Sequence, residues 1–427
     1  MIVAISSKAS VLNSDFARRL AHIAERGTTL AMPGLRTAGF MALSWRDLAG
    51  LGGPGDGMPL VKPNLSMAVK VAIDETVRAM LVPNLPLPSA AELHRVRGEF
   101  QQAAELYESR GWSANPALYH RQPPPITSPQ IFRRRVLGLD VEHLQFDSDY
   151  QPRSGEPGAD RWLARSANRK GHAWLLRHHD RPRPWLMCIH GYRMGQASAG
   201  LAAFHARYLH EELGLNLVMP VLPLHGPRAG RHRSGEGFMV ADSMDTLFAV
   251  SQGIWDLRRL LSWVRGPGEA VSTGAYGISL GGYHASLLSS LDGALDCVIA
   301  GIPATSFSAL AREHLPGSVR TWLERAGVNW TMIDNLQRVI SPMALPCRTP
   351  HRGRHIFAGV ADRLVSRGQV NELWHHWERP NLHWYQGTHL SFNLDRGVND
   401  FIAHALDSTG MSRAAAARNN EHASRAA

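Results

Sequence analysis

The sequence is poor in cysteine, with Cys188, Cys297 and Cys347 as the only three among 427 residues. So few cysteines exclude the disulfide framework on which small extracellular domains depend. Cys188 and Cys297 lie within apolar, strand-like runs, where a reduced thiol behaves as a small hydrophobic group. We therefore expect free, buried cysteines and a cytoplasmic protein.

Long apolar runs are missing as well. No uncharged apolar stretch reaches the roughly 18 residues that a membrane-spanning helix needs. The N-terminal residues lack the basic stretch followed by a continuous apolar stretch that is typical of a signal peptide. We expect neither a signal peptide nor a membrane span.

Acidic residues are fewer than basic ones: 36 Asp and Glu stand against 46 Lys and Arg, a net charge of +10. Such an excess can indicate an anionic partner. No zinc-finger spacing, aromatic RNA-binding motif or helix dense in Lys and Arg is present, so we expect no nucleic-acid partner. We interpret the charge as spread over the whole surface, with peripheral contact to an anionic membrane as the open alternative.

The sequence has no cluster of metal ligands and no cofactor motif. His178 and His179 are adjacent, but neighbouring side chains point apart and no third ligand accompanies them. We interpret this pair as part of a solvated loop. The sequence therefore predicts a protein without metal or cofactor.

Residues 1–132 are predicted to form a helical segment that packs on, or caps, the main domain. Three stretches are predicted helices: Phe16–Ala24, Ser66–Leu81 and the stretch that begins at Ser89. Ser89 and Glu92 have the spacing of a capping box, in which each side chain bonds the backbone of the other. We interpret Gly34–Leu51 as broken by its glycines. This segment shows no catalytic constellation.

From residue 133 strand-like runs alternate with helical ones, which is typical of an α/β fold. Trp185–Ile189 is continuously apolar, as expected of a strand buried on both faces, and Val141–Phe146 suits an edge strand. We predict an α/β fold over residues 133–410, with a mostly parallel central sheet flanked by helices. A helical insertion at about 303–354 is expected to form a small cap, and residues 411–427 are expected to be disordered.

A glycine-flanked serine follows one of these apolar runs, in the pattern Gly277-Ile278-Ser279-Leu280-Gly281. The order of strand, tight turn and helix is typical of a nucleophile elbow. Such a turn strains the backbone of its serine, and side chains at positions 277 and 281 would collide across it. The pattern predicts that Ser279 is a nucleophile, and a glycine-rich turn without chemistry is the alternative.

The partners of this serine are predicted from their order in the chain. Elbow enzymes place the acid and then the histidine after the serine. Asp362 follows one strand-like run and His389 follows the next, so we expect a triad of Ser279, Asp362 and His389. A helix-capping role for Asp362 and a plain loop position for His389 are the alternatives.

Two backbone N–H groups are expected to bind the oxyanion that forms when the serine attacks. One belongs to Leu280, which follows the nucleophile. The other comes from the loop after the strand Trp185–Ile189, where Tyr192 follows a His-Gly pair. Leu280 and Tyr192 are thus the predicted oxyanion donors.

Residues 185–408 resemble the α/β-hydrolase superfamily and, within it, the abhydrolase domain-containing protein 18 type. The resemblance rests on these stretches: Cys188-Ile189-His190, Gly226-Pro227-Arg228, Thr273–Leu287 and Gly387–Ser391. It implies an α/β-hydrolase fold over residues 133–410 and a serine esterase or lipase that cleaves a small-molecule or lipid acyl ester. An acyltransferase with the same triad and a hydrolase-like binding protein without turnover are the alternatives, and the sequence does not indicate an oligomeric state.

A basic loop after the strand ending near Val221 carries four candidate substrate-binding residues: His225, Arg228, Arg231 and Arg233. Arginine can hold a phosphate or carboxylate through paired hydrogen bonds. The structural alternative, which we favour, is that Arg228 binds Asp242 or Asp245 and that the other side chains are solvated.

Overall fold

The computed structural model describes residues 32–51, 57–81, 89–238 and 243–412. The predicted helix Phe16–Ala24 and nearly all of the predicted disordered tail lie outside these ranges. The described residues divide into two compact units. The smaller unit comprises the described residues up to Leu81 and the loops Val360–Leu364 and Gln386–Ser391, and the larger unit comprises the rest.

The larger unit is built on a nine-stranded sheet. Its strands are β1 (Gln130–Val136), β2 (Leu139–Asp147), β3 (Lys170–Leu176), β4 (Trp185–Ile189), β5 (Asn216–Val221), β6 (Thr273–Ile278), β7 (Cys297–Gly301), β8 (Arg354–Gly359) and β9 (Asn381–Tyr385). They lie in the order β1-β2-β3-β5-β4-β6-β7-β8-β9. In this order, the pairs from β1 to β5 are antiparallel, and the pairs from β5 through β4 to β9 are parallel. The predicted mostly parallel sheet is therefore confirmed.

Helices accompany the strands along the chain. Those described in the larger unit are α3 (Ala90–Ser109), α4 (Ala159–Leu163), α5 (Ala197–Ala203), α6 (Ser243–Arg265), α7 (Leu280–Leu291), α8 (Phe307–His314), α9 (Gly317–Arg325), α10 (Trp330–Gln337), α11 (Arg367–His376) and α12 (Arg396–Ser408). The predicted capping box of Ser89 and Glu92 is present at the start of α3. Helix α3 packs against α10, so part of the N-terminal segment belongs to the larger unit.

The sheet separates two hydrophobic cores. Alternate residues of β4 enter opposite cores: Met187 and Ile189 lie in one, and Leu186 and Cys188 lie in the other. Every residue of β4 is buried, as the continuous apolar run predicts. Because both faces are covered, the carboxyl edge of the parallel strands is the part of the sheet where loops can carry chemistry.

One strand was placed wrongly from the sequence. The edge of the sheet is β1, so the prediction that Val141–Phe146 is an edge strand is wrong. Strand β1 has no alternating burial because nearly all of its residues are exposed, including Arg133, Arg134 and Arg135. Charged residues on an edge strand oppose pairing with other chains, and they also hide the strand from a search for apolar alternation.

The smaller unit contains two helices, α1 (32–48) and α2 (Leu65–Leu81). Residues 34–48 are continuously helical, so the prediction that Gly34 and Gly39 break this stretch is wrong. Glycine in a helix costs only about 1 kcal/mol relative to alanine and does not by itself end the helix. The boundary after residue 132 and the capping role of 303–354 stay predictions.

Candidate active site

Ser279 occupies the turn between β6 and α7. Its backbone has φ 56° and ψ −115°, in the positive-φ region that residues with side chains rarely adopt. Two backbone hydrogen bonds hold the turn: the Ser279 N–H donates to Gly301 O at 2.9 Å, and the Tyr283 N–H donates to Ser279 O at 3.0 Å. This is the strand–turn–helix geometry that the pattern predicts.

The two flanking glycines are required by close backbone contacts. A Cβ on Gly277 would lie 2.0 Å from Gly281 O, and a Cβ on Gly281 would lie 1.8 Å from Ile189 O. Both distances are far inside van der Waals contact, and the obstructing atoms are backbone atoms that cannot rotate away. The turn therefore accepts no side chain at either position.

The predicted oxyanion donors lie in the loops beside this turn. Leu280 opens α7, and the first N–H groups of a helix have no acceptor within the helix. A Cβ on Gly191, the residue before Tyr192, would lie 3.6 Å from the Ser279 Cβ. The His-Gly-Tyr loop thus passes directly beside the serine within the larger unit.

His190 fixes the conformation of that loop. Its Nε2 accepts the Leu222 N–H at 3.1 Å, so its proton is on Nδ1, which donates to Gly191 O at 2.8 Å. Burial lowers the pKa of His190 to about 4. The imidazole is therefore neutral near pH 7 and acts as a fixed hydrogen-bonding bridge between the loops that follow β4 and β5.

Asp362 and His389 form a buried pair in the smaller unit. Nδ1 of His389 lies 2.6 Å from Oδ2 of Asp362, and both side chains are almost fully buried. Oδ1 of Asp362 accepts the Leu364 N–H at 2.8 Å, which fixes the carboxylate. Burial by itself lowers the pKa of His389, but the charge and hydrogen bond of Asp362 and the charge of Asp74 raise it above its ordinary value. The predicted acid and histidine are thus hydrogen-bonded partners.

Sequence reasoning missed a second carboxylate at this pair. Asp74 of α2 is fully buried, and it accepts the backbone N–H of His389 at 2.9 Å, of Leu390 at 3.2 Å and of Arg363 at 3.2 Å. The available signal was the helical spacing. Met67, Val71 and Asp74 follow one another at steps of four and three on the buried face of α2, where an acidic residue is unexpected.

The four candidates in the basic loop separate into two groups. His225 and Arg228 are buried, whereas Arg231 and Arg233 are exposed. Arg228 pairs with Asp256 at 2.8 Å and donates to Val221 O at 3.0 Å. Because its guanidinium is engaged inside the fold, we exclude Arg228 from the groups that could meet a substrate.

The suggested partner of Arg228 needs a correction. Asp245 binds Arg161 and Arg165 rather than Arg228, at 3.1 Å and 2.5 Å, and Asp242 lies outside the described residues. The partner in the structure, Asp256, lies on α6 more than two helical turns beyond Asp245. The expectation that Arg228 is structural is therefore consistent with its burial; the prediction of Asp245 as its partner is wrong, and that of Asp242 stays a prediction.

The described residues offer neither a metal-binding cluster nor a membrane-spanning helix. These residues contain no group of three or more His, Cys, Asp or Glu side chains that could hold a metal ion. No helix in the same ranges has the length and hydropathy of a membrane span.

The sheet order, the turn at Ser279 and the order of the loops together define the α/β-hydrolase fold. Strands β6, β8 and β9 are parallel members of one sheet. Along the chain, Ser279 follows the end of β6 by one residue, Asp362 follows β8 by three, and His389 follows β9 by four. No family model matches the chain.

The chain is 40% identical over 380 residues to Uncharacterized protein MT2702 of Mycobacterium tuberculosis strain CDC 1551 / Oshkosh and to Uncharacterized protein Rv2627c of strain H37Rv. Each match covers 89% of this chain and 91% of the relative. The chain belongs to the same family as these two mycobacterial proteins.

Solved structures of similar fold include an acetyl xylan esterase from Paenibacillus sp. R4, at TM-score 0.48 and 14% identity, which matches 68% of this chain and 98% of that one. Another is acetyl xylan esterase 1 from Thermoanaerobacterium sp. JW/SL YS485, at TM-score 0.47 and 16% identity, with coverages of 69% and 98%.

Proposed function

We propose that the protein is a serine hydrolase that cleaves carboxylic esters through an acyl-enzyme, with Ser279 as nucleophile, His389 as general base and Asp362 as the acid that orients it. The observation that carries the proposal is the backbone of Ser279, which is held at positive φ between glycines that admit no side chain. Strain of this kind persists where the surrounding structure enforces it, and it is concentrated at functional turns.

The acid–base pair supports the same chemistry. A carboxylate on Nδ1 of a histidine sets the tautomer in which Nε2 can accept a proton, and it stabilises the imidazolium that then forms. The hydrogen bond of 2.6 Å between Asp362 and His389 has this arrangement. The pKa of His389, raised by Asp362, favours the protonated form that would later donate to the leaving alcohol.

The reaction would proceed in two acyl transfers. His389 takes the hydroxyl proton of Ser279 while the oxygen attacks the ester carbonyl, and the N–H groups of Leu280 and Tyr192 bind the oxyanion. Collapse of this intermediate expels the alcohol, which receives the proton from His389. Water, activated by the same histidine, then hydrolyses the acyl-enzyme. In its narrower form, the proposal is that the substrate is a lipid ester and that the protein is related to the abhydrolase domain-containing protein 18 type.

The test is hydrolysis of p-nitrophenyl esters of short and medium acyl chains by the purified protein. Ser279→Ala should lower kcat about 10⁶-fold, as loss of the nucleophile does in other serine hydrolases. Ser262→Ala is the matched control, because Ser262 is an exposed residue of α6, and it should turn over like the parent. Equal turnover by Ser279→Ala and the parent would refute the assignment.

A further inference from the structure

Asp74 is a buried carboxylate that accepts hydrogen bonds from the two loops that carry Asp362 and His389. Its Oδ2 accepts the N–H of His389 and of Arg363, and its Oδ1 accepts the N–H of Leu390. Among the residues that the structure describes, its carboxylate contacts no Lys or Arg side chain. Asp74 thus joins one loop to the other through backbone groups rather than through an ion pair.

These contacts fix the position of His389 from outside its own loop. The N–H groups of His389 and Leu390 begin the short 3-10 helix His389–Leu394, and they have no acceptor within it. Asp74 supplies that acceptor from α2, and the Ala361 N–H donates to Gly387 O at 2.9 Å to join the loops directly. A carboxylate is a stronger acceptor for such donors than a neutral group.

The neighbouring acidic residue has a different role. Glu75 binds the side chain of Arg363 at 2.7 Å and that of Arg78 at 3.6 Å, so its charge is compensated by cations. Two adjacent buried carboxylates on α2 therefore serve different groups: Glu75 binds side-chain cations, and Asp74 binds the backbone beside the acid–base pair.

The ionised form of Asp74 is electrostatically unfavourable where it lies. Burial and the negative charge of Asp362 raise the pKa of Asp74 to about 6. Charged and titratable groups of the described part of the smaller unit include Asp362, Arg363 and His389 in the loops, Lys70, Glu75 and Arg78 on α2, and Arg36, Arg46 and Asp47 on α1. A buried carboxylate whose pKa is raised by desolvation and by a neighbouring negative charge is typical of functional sites.

We propose that Asp74 is a positioning residue of the proposed hydrolase, which holds the His389 backbone in place and, through its charge, favours the protonated imidazole. This inference rests on the proposed function for its catalytic meaning. It adds to the Ser, Asp and His of the triad a second carboxylate, supplied by a helix that precedes the sheet in the chain. Asp74 acts through His389 and does not itself meet the substrate.

The test compares Asp74→Asn with Glu75→Gln. Both substitutions neutralise a buried carboxylate on α2, but only the first removes the charge next to the His389 backbone and replaces one of the two acceptor oxygens there with an NH2 donor. Two measurements are made on each variant: the pH profile of kcat/KM on a p-nitrophenyl ester, and the titration of the His389 imidazole by NMR.

For Asp74→Asn we expect kcat/KM at pH 8 to fall roughly 10- to 100-fold, the size of loss that a displaced catalytic group gives. We also expect the acid limb of the profile and the His389 titration to move together to lower pH, because a negative charge near the imidazolium has been removed. For Glu75→Gln both should stay where they are in the parent, whatever the melting temperature does. A folded Asp74→Asn protein with the parent titration and the parent profile would overturn the proposal.

Asp74→Glu covers the case in which the Asn variant does not fold. This variant keeps the charge but displaces the carboxylate, so kcat/KM should fall while the acid limb of the pH profile stays in place. Full activity in this variant would also overturn the proposal. Failure of the proposed function looks different. The parent would then hydrolyse no ester and react with no fluorophosphonate, while the NMR titration would still report whether Asp74 acts on His389.

Discussion

The serine turn and the acid–base pair are held in place by different kinds of force. The turn at Ser279 is fixed by the backbone alone, because added side chains at 277 or 281 would lie about 2 Å from backbone carbonyl oxygens. The pair of Asp362 and His389 is held by hydrogen bonds to carboxylates, one of which comes from Asp74 on α2, far away in sequence. The first kind of constraint is local and leaves a sequence pattern, whereas the second is long-range and leaves almost none.

Within the acid–base pair and its supports, the largest expected effect concerns the chemistry of the pair. Asp362→Asn should lower kcat on p-nitrophenyl esters roughly 10⁴-fold, because the amide favours the wrong tautomer of His389. The control is Asp334→Asn, which neutralises a half-exposed carboxylate of α10 that pairs with Arg312, and turnover should be unchanged. Full activity of a folded Asp362→Asn protein would mean that another acid orients the histidine.

The next effect tests the steric side of the comparison. Gly281→Ala places a methyl group against Ile189 O, so we expect the free energy of unfolding to fall by several kcal/mol or the protein not to fold. Gly98→Ala in α3 meets no atom within 4 Å and should raise that free energy by about 0.5–1 kcal/mol. Urea unfolding followed by circular dichroism distinguishes the two, and a Gly281→Ala protein of parental stability would contradict the account of the turn.

These two regions also explain what the sequence could and could not predict. The bounds of β4, the elbow and the order of Ser279, Asp362 and His389 were predictable, because each depends on neighbouring residues or on chain order. The contacts of Asp74 and of Arg228 were not predictable. The partners of Asp74 lie 289 to 316 residues away along the chain, and Asp256, the partner of Arg228, lies 28 residues away. No local pattern identifies these partners. Strand β1 was missed because it is exposed and charged rather than alternating.

A smaller effect tests the electrostatic side through stability. The pKa of Asp74 is raised from 3.8 to about 6, so the folded protein binds this proton more tightly than the unfolded chain does. The resulting stability is fully present below about pH 4 and is lost as the pH rises through about 6, a change of about 3 kcal/mol. Asn does not ionise, so Asp74→Asn does not lose this stability as the pH rises. Its unfolding free energy, relative to that of the parent, should therefore increase by about 2–3 kcal/mol between pH 4 and pH 7. A difference that does not vary with pH would contradict the raised pKa of Asp74.

The smallest expected effect concerns the exposed arginines of the basic loop. If Arg231 and Arg233 bind an anionic substrate, Arg231→Gln and Arg233→Gln should lower kcat/KM several-fold on a lysophospholipid but not on a neutral ester, and added salt should reduce the difference. Equal effects on both esters, or no effect, would leave the two side chains as solvated surface residues.

The most direct test of the central assignment is to map the adduct of a fluorophosphonate by mass spectrometry. The reagent reacts with an activated serine, so we predict one modified peptide that contains Ser279, no modification in Ser279→Ala, and greatly slowed modification in His389→Ala. Modification of a different serine, or equal modification of Ser279→Ala and the parent, would contradict the account.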